Sequence, residues 1–421
     1  MIGFLLFGTM AILLILGVPI AVCLGAATLL TVAALDVPMV VVSQRMFTAL
    51  DSFSIMAIPF FVLAGNLMTE GGISKKLVSF CNSIVGNIRG GMAIVGIIAC
   101  AFFAALSGSG PATVIAIGSM VYPEMVKLGY PKGRAAGLLA VSGGLGPIIP
   151  PSIVMVVYGT ITNTSISDLF KSGMVCGILI AIAIIIAAIF LAYKEKWPVA
   201  EGKISIKAIC QSFFVALPAL MLPVIILGGI YSGIFTPTEA AAISVVYALA
   251  VGLYVYREIK ISDLWRILVS SAKSSAMILF IIATSTAFAW LFSYSGISTA
   301  LVEFIIGLNL SKMLFVLVVS GVLLVFGFFL EGLATVVLLV PVLFPIAQTF
   351  GINPIHFGMI VVIANVLGTM TPPVAVNIFA SATVSKLPMG EIVKGQLPFF
   401  ITMILVFFLI VLIPGISLMM I

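Results

Sequence analysis

The 421-residue chain is 63% hydrophobic and only 8% charged, with a mean hydropathy of +1.38. A soluble core of this length cannot hide so much apolar surface, so the natural solvent of the chain is lipid. The net charge of +6 comes from basic residues scattered over polar loops, which argues against a nucleic-acid surface and fits a membrane topology.

In chain order, the first apolar run, Ile2–Ala34, is too long for a signal peptide and shows no cleavage pattern, so it reads as a retained helix. Val40–Phe53 follows as an amphipathic arm. Ser54–Met68 is the shortest of the spans, and Gly72–Gly90 reads either as a tilted span or as an interfacial arm. Gly91–Tyr122 is interrupted by Ser107-Gly108-Ser109-Gly110-Pro111, and Ala135–Thr160 by Gly143-Gly144-Leu145-Gly146-Pro147-Ile148-Ile149-Pro150-Pro151-Ser152. Gly173–Tyr193, Ala208–Tyr231 and Thr238–Tyr256 are long apolar runs. Glu258–Ala272 is a second amphipathic arm, Ser274–Phe292 a span, and Gly296–Leu310 a second tilted span or arm. Met313–Phe350 is interrupted at Glu331-Gly332 and His356–Thr383 at Asn365–Pro373, before the last span, Pro398–Ile421. A crossing takes about 20 apolar residues. The halves of Gly91–Tyr122 and Met313–Phe350 fall short of that and predict re-entrant helical hairpins, because irregular backbone at membrane depth must be buried in protein or line a cavity.

The two interrupted regions repeat each other at a constant spacing of 222 residues. Gly110, Thr113, Val114, Pro123, Gly129, Gly146, Pro150, Pro151 and Gly173 return as Gly332, Thr335, Val336, Pro345, Gly351, Gly368, Pro372, Pro373 and Gly395. Secondary transporters build substrate and ion sites from such duplicated broken helices. With each hairpin returning to its own side and the N-terminus in the cytoplasm, 16 of the 19 basic residues lie inside. Only Arg45, Lys171 and Lys312 lie outside. The first hairpin then opens from the cytoplasm and the second from outside, so the repeats are inverted. The expected division is a first repeat over 1–193 (hairpin 91–122, broken helix 135–160), a cytoplasmic linker and connecting span over 194–235, and a second repeat over 236–421 (hairpin 313–350, broken helix 356–383). In it Ala208–Tyr231 is an extra connecting span, and Thr238–Tyr256 is the mate of the first helix. The fold class is an all-α polytopic membrane protein.

Cys23, Cys81, Cys100, Cys176 and Cys210 show no CxxC spacing and read as packed free thiols. His356 is the only histidine, which excludes a histidine metal cluster, and after Asn353-Pro354 it reads as a cap or interface residue.

The chemistry concentrates at the four breaks. In the first tip Gly108 and Gly110 permit a tight reversal and Pro111 suits a first helical turn. The free amides there favour an anion, and Ser107, Ser109 and Thr113 add hydroxyls. Around Gly143, Gly144, Gly146, Pro147 and Pro150 the helix cannot continue, and the released carbonyls are ligands for a hard cation such as sodium. The second repeat supplies Glu331, Gly332 and Thr335, then Asn365, Gly368, Thr369, Thr371, Pro372 and Asn377. Glu331 is either a functional carboxylate or a helix cap. Each single Ser or Thr serves either a ligand or its own helix backbone. One Gly-Pro break is a kink, whereas four in two matched pairs point to a site. Glu239 reads as a first-turn acid favoured by the helix dipole. With no Arg or Lys in this core, an anion would be neutralised by helix ends, hydroxyls and sodium ions near Ser107, Ser109, Gly146, Gly332, Gly368 and Thr371.

The motifs SGSGPAT (107–113), GGLGPIIPPS (143–152) and GTMTPP (368–373) resemble the large membrane subunit, DctM-like or M, of the tripartite ATP-independent periplasmic (TRAP) transporters, over essentially the whole chain. The resemblance implies an elevator mechanism and sodium-coupled uptake of an organic acid in a bacterial or archaeal cell membrane. It also implies two partners, a small four-helix membrane subunit and a soluble periplasmic substrate-binding protein, and no cofactor besides sodium as coupling ion. Because the sequence begins at the large-subunit region, the small partner is expected as a separate chain. By the same resemblance the sodium sites are built around Ser107–Gly110 with Gly143–Pro150, and around Glu331–Thr335 with Gly368–Pro372. The organic anion, a C4-dicarboxylate, sialic acid or another small carboxylate, is expected between the hairpin tips. The rivals are an autonomous ion-coupled dicarboxylate carrier or antiporter, in which the arms and Trp265 serve a homodimer, and an ion channel with carbonyl-lined loops. An enzyme is disfavoured, since the core holds one acid, no base and no Cys-His pair.

Overall fold

The computed structural model of the protein describes residues 2–35, 37–199, 205–308, 310–330, 332–373 and 375–421. The first half forms α1 (Ile2–Ile15), α2 (Ile20–Ala34), α3 (Val40–Leu50), a 3-10 turn (Phe53–Met56), α4 (Ala57–Glu70), α5 (Ile73–Val85), α6 (Gly91–Ser107), α7 (Gly110–Lys127), α8 (Lys132–Gly143), α9 (Ile153–Thr162) and α10 (Ile166–Lys194). The second forms α11 (Ile206–Tyr231), α12 (Pro237–Ala250) with a π-helical turn (Val251–Val255), α13 (Ile261–Tyr294), α14 (Ile297–Gly307), α15 (Lys312–Phe329), α16 (Gly332–Thr349), α17 (Pro354–Gly368), α18 (Val376–Ser385), α19 (Met389–Leu412) and α20 (Pro414–Ser417). Helices satisfy their backbone groups internally, as lipid demands. Eight helical segments among the described residues are long and apolar enough to cross a membrane. Two of them, α15 and α16, are the arms of the second hairpin.

A shift of 222 residues carries α6–α10 onto α15–α19 element by element. The orientation of the two sets follows from the ends of α10 and α19. At the end of α10 that holds Lys194, a β-carbon on Gly90 would lie 2.9 Å from that of Ala192, and the Arg134 guanidinium bonds Glu195 and the carbonyls of Lys394 and Gly395. The open end of hairpin α6–α7 therefore sits there. At the other end Ser172 donates to the Ser417 carbonyl and His356 Nδ1 meets Ser417 Oγ at 2.8 Å. Lys312 reaches the Gly351 carbonyl at 2.7 Å, closing the base of hairpin α15–α16. The hairpins thus open on opposite faces while their tips share one cavity, and the halves are inverted. The face bearing Arg134, Lys194 and Lys394 is termed the basic face, and the other the far face. Glu239 forms a capping box with Thr236 at the start of α12, the role expected of a first-turn acid. Cys23, Cys81, Cys100 and Cys176 are buried free thiols, whereas Cys210 is exposed.

Four readings of the sequence are corrected. Ile2–Ala34 is not one helix but a hairpin, turning at Gly17 (φ +78°) and Pro19. Phe7 packs edge-on against Phe288 and Phe292, and Gly25 lies against Thr284. In one continuous helix Phe7 and Gly25 would stand roughly 27 Å apart, yet they meet adjacent turns of α13. The N-terminus consequently lies at the far face, where Gly3 approaches Ile297, and not on the basic side. The arm Glu258–Ala272 and the span Ser274–Phe292 are largely one unbroken helix, α13, whose 34 residues extend about 51 Å and overreach the hydrocarbon core. Its counterpart in the first half is broken at Asp51–Phe53 into α3 and α4. Finally, α11 is not an extra span: α11 with α12 stands where α1 and α2 stand in the first half, with the turn before Pro237 answering that before Pro19.

Candidate site at the crossing of two broken helices

The first tip is held by a stack of close backbone contacts. Gly108 ends α6 in the left-handed region (φ +60°), and a β-carbon there would stand 2.9 Å from the Pro151 carbonyl, so both space and conformation require glycine. Ser109 caps α7 with extended backbone, and Pro111 occupies its first turn. Gly146 carries the neighbouring break onto Ser109 and Gly110, leaving 2.7–2.9 Å for a β-carbon, and Gly143 faces the Gly110 carbonyl. Ser107 and Thr113 hydroxyls meet at 3.0 Å, and Thr113 donates to the Ser109 carbonyl at 2.7 Å. Among the described residues, the carbonyls of Gly146 through Pro151 accept no hydrogen bond.

The second tip is seated by a side chain instead of by bare backbone. Asn365 stands where the first half has Gly143, and its amide donates to the Gly332 carbonyl. Glu331 lies outside the described residues. Thr335 is buried, and Gly368 meets Gly327 of α15 in backbone contact. The hydroxyls of Thr369 and Thr371 donate to their own helix, at the Val366 and Leu367 carbonyls (2.7 and 2.9 Å), which leaves their oxygen lone pairs open. Both breaks contain a cis peptide, Pro150–Pro151 and Pro372–Pro373.

The breaks also cross each other. Gly144 packs on Met370 and Val366, and Asn377 reaches across to Gly110 and to the Ala140 carbonyl. Buried behind this crossing are four polar atoms without a hydrogen-bond partner among the described residues: Ser142 Oγ, Asn365 Oδ1, Asn377 Oδ1 and Gln396 Oε1. An unsatisfied buried polar group costs about 1–3 kcal/mol, and three of the four are acceptor-only oxygens, the donor set that a hard cation takes.

In front of the crossing lies a cavity of about 380 Å³. Ser107, Gly108, Ser109, Gly110, Pro147, Gly332 and Thr369 line it, facing Asn66 and Thr69 of α4 and Ser274 of α13. Thr113, Gly143, Gly144, Gly146, Pro150, Thr335, Asn365, Gly368, Thr371, Pro372 and Asn377 stand behind or beside this wall instead of on it. Among the described residues no charged side chain lines the cavity, so the N-terminal ends of α7 and α16 provide its positive potential. Sequence reasoning missed Asn66, Thr69, Ser274, Ser142 and Gln396. Asn66 was legible, being an amide inside an apolar run; it donates to Ser271 at 2.8 Å and ties α4 to α13. Gln396 donates to the Met370 carbonyl inside the break, a contact that only the packing of α19 creates.

Residues 7–416 match the family model described as "Tripartite ATP-independent periplasmic transporter, DctM component". The chain is 40% identical to the C4-dicarboxylate TRAP transporter large permease protein DctM of Rhodobacter capsulatus, over 98% of this chain and 97% of that one. It is 41% identical to the isethionate TRAP transporter permease protein DctMQ of Oleidesulfovibrio alaskensis, over 98% of this chain but 65% of that longer one. The crystal structure of the Alcanivorax borkumensis YdaH transporter superposes with a TM-score of 0.60 over 89% of this chain and 87% of that one, at 14% identity, a likeness of fold alone.

Proposed function

The chain belongs to the DctM component family of the tripartite ATP-independent periplasmic transporters, a multi-pass protein of the bacterial inner membrane, and from that premise we propose that it imports a small organic anion driven by sodium. The observation that carries the proposal is the convergence of both hairpin tips and both breaks on one cavity, lined by no charged side chain among the described residues and backed by unpartnered oxygens. Sodium held by the Gly146–Pro151 carbonyls and by Asn365, Thr371 and Asn377 orders the broken backbone. The anion then binds at the amide ends of α7 and α16. Binding of the two is reciprocal, so sodium raises affinity for the anion as much as the anion raises affinity for sodium. The tips and breaks move as one body against α4 and α13, whose polar residues Asn66, Thr69 and Ser274 line the track.

The anion is a carboxylate or sulfonate, as the names of the relatives acting on C4-dicarboxylates and isethionate suggest. The small subunit is a separate membrane chain and the anion is delivered by a periplasmic binding protein. The test is uptake into proteoliposomes holding this chain and its small subunit under a sodium gradient. Uptake is expected only with loaded binding protein present. Full-rate uptake without that protein overturns the tripartite reading, and uptake indifferent to sodium overturns the coupling.

A further inference from the structure

The geometry points to a second anion site at the far face, a capture site built on Arg45 that holds the carboxylate or sulfonate before it reaches the hairpin tips. It rests on the reading that the cargo is an organic anion. A cavity of about 570 Å³ opens there between α3 and α13 on one side and α9 and α16 on the other. Arg45 is the one charged residue lining it among the described residues, and Thr48, Ser52, Thr160, Ser285 and Thr286 surround it with hydroxyls. The guanidinium stands 5.4 Å over the ring of Trp290, which itself stacks on Tyr294 at 5.2 Å. The ring meets the cation from one side and leaves its N–H fork available to take a carboxylate or sulfonate through two parallel hydrogen bonds. No carboxylate among the described residues pairs with Arg45.

The inverted counterpart at the basic face differs in one respect. A smaller cavity lined by Asn66, Thr69 and Arg266 lies behind the wall that faces the tips, and there Glu70 closes on the guanidinium with two bonds of 3.0 Å. Among the described residues each mouth thus carries one arginine, and of the two only Arg45 is free to attract an anion. The charge asymmetry sits on the scaffold helices α3, α4 and α13, so it persists whichever way the tips move.

Two measurements test the site separately from the transport reading. In nanodiscs, the chain labelled with 5-fluorotryptophan, its Trp290 resonance assigned by Trp290→Phe, is titrated with succinate and with isethionate. A saturable shift of the Trp290 resonance is expected, lost in Arg45→Gln, retained with weaker affinity in Arg45→Lys, and weakened by salt. In proteoliposomes Arg45→Gln is expected to raise the half-saturating anion concentration at least fivefold with the maximal rate within twofold of wild type. An unresponsive Trp290 together with unchanged half-saturation overturns the capture site while wild-type uptake keeps the transport reading. A saturable Trp290 shift in a chain that moves neither anion upholds the site and overturns the reading instead.

Discussion

Gly110, at the first hairpin tip, and Asn377, in the first turn of α18 just after the break of the opposite repeat, stand so close that a β-carbon on Gly110 would lie 2.7 Å from Asn377 Oδ1. The two inverted halves therefore share a single centre, where an added β-carbon must displace the Asn377 amide. Gly110→Ala overpacks it, at a cost of about 1–3 kcal/mol, which at about 1.4 kcal/mol per decade is roughly 5- to 150-fold. Sodium-driven uptake should fall by at least about fivefold while the detergent-solubilised protein still elutes as one folded species. Gly332→Ala leaves 3.2 Å to the Asn365 amide and should be the milder of the pair. Wild-type uptake in both variants would contradict the seating of the tips.

The unpartnered Asn377 oxygen predicts opposite effects with and without the ion. Asn377→Ala removes a buried acceptor that nothing satisfies in the ion-free chain and gives up only a 3.4 Å bond to Ala140. Thermal stability in potassium buffer should be unchanged or slightly raised. The sodium-dependent gain, which grows as the logarithm of ion concentration over the dissociation constant, should shrink or vanish. Thermal shifts at matched ionic strength in sodium and in potassium check it. An undiminished sodium gain would remove Asn377 from the ion site.

What the sequence disclosed and what it hid have physical reasons. Proline lacks an amide hydrogen, so the dense runs Pro147–Pro151 and Pro372-Pro373 mark breaks, whereas single prolines such as Pro123 and Pro341 stay inside helices. The 222-residue register likewise survives in single residues such as Gly110 and Gly332, where backbone must approach closely. The N-terminal hairpin of α1 and α2 was obscured because the run Ile2–Ala34 stays apolar through its turn, and only Gly17-Val18-Pro19 signals the reversal. The continuity of α13 was obscured for the opposite reason. Its first turns are polar enough to read as an arm, yet nothing in Lys273-Ser274 breaks the backbone, whereas Asp51-Ser52 in the other half does. Glu70–Arg266 and Arg45–Trp290 join residues 196 and 245 positions apart, and no local pattern announces such pairs.

The crossing of α8 and α19 makes a sharper claim about folding than about transport. Gly395 rests on the Gly133 carbonyl and Gly137 on the Gln396 amide, each with no room for a β-carbon. Gly395→Ala must push these helices apart and should sharply lower the yield of monodisperse protein. Gly390→Ala, in the first turn of the same helix with nothing within 4 Å, should be neutral or stabilising by up to about 1 kcal/mol. Equal yields for the two variants would contradict the observed crossing.

The ion pair at the basic face should matter more for release than for stability. Glu70 and Arg266 are well exposed, 42% and 64% of their side-chain surfaces, and such pairs contribute about 0.2–1 kcal/mol. Deleting either partner should therefore leave the thermal midpoint nearly unchanged. On the proposed import direction the basic-face mouth is the exit, so Glu70→Gln frees the Arg266 guanidinium there and a free cation retains the anion. An attraction of the same size corresponds to a fall of up to about fivefold in the maximal uptake rate. The double variant Glu70→Gln/Arg266→Gln removes the freed charge and should restore the rate, which a purely structural role for Glu70 would not do. Rates measured at saturating loaded binding protein separate the cases. If the double variant remains as slow as Glu70→Gln, the charge at this mouth does not govern release.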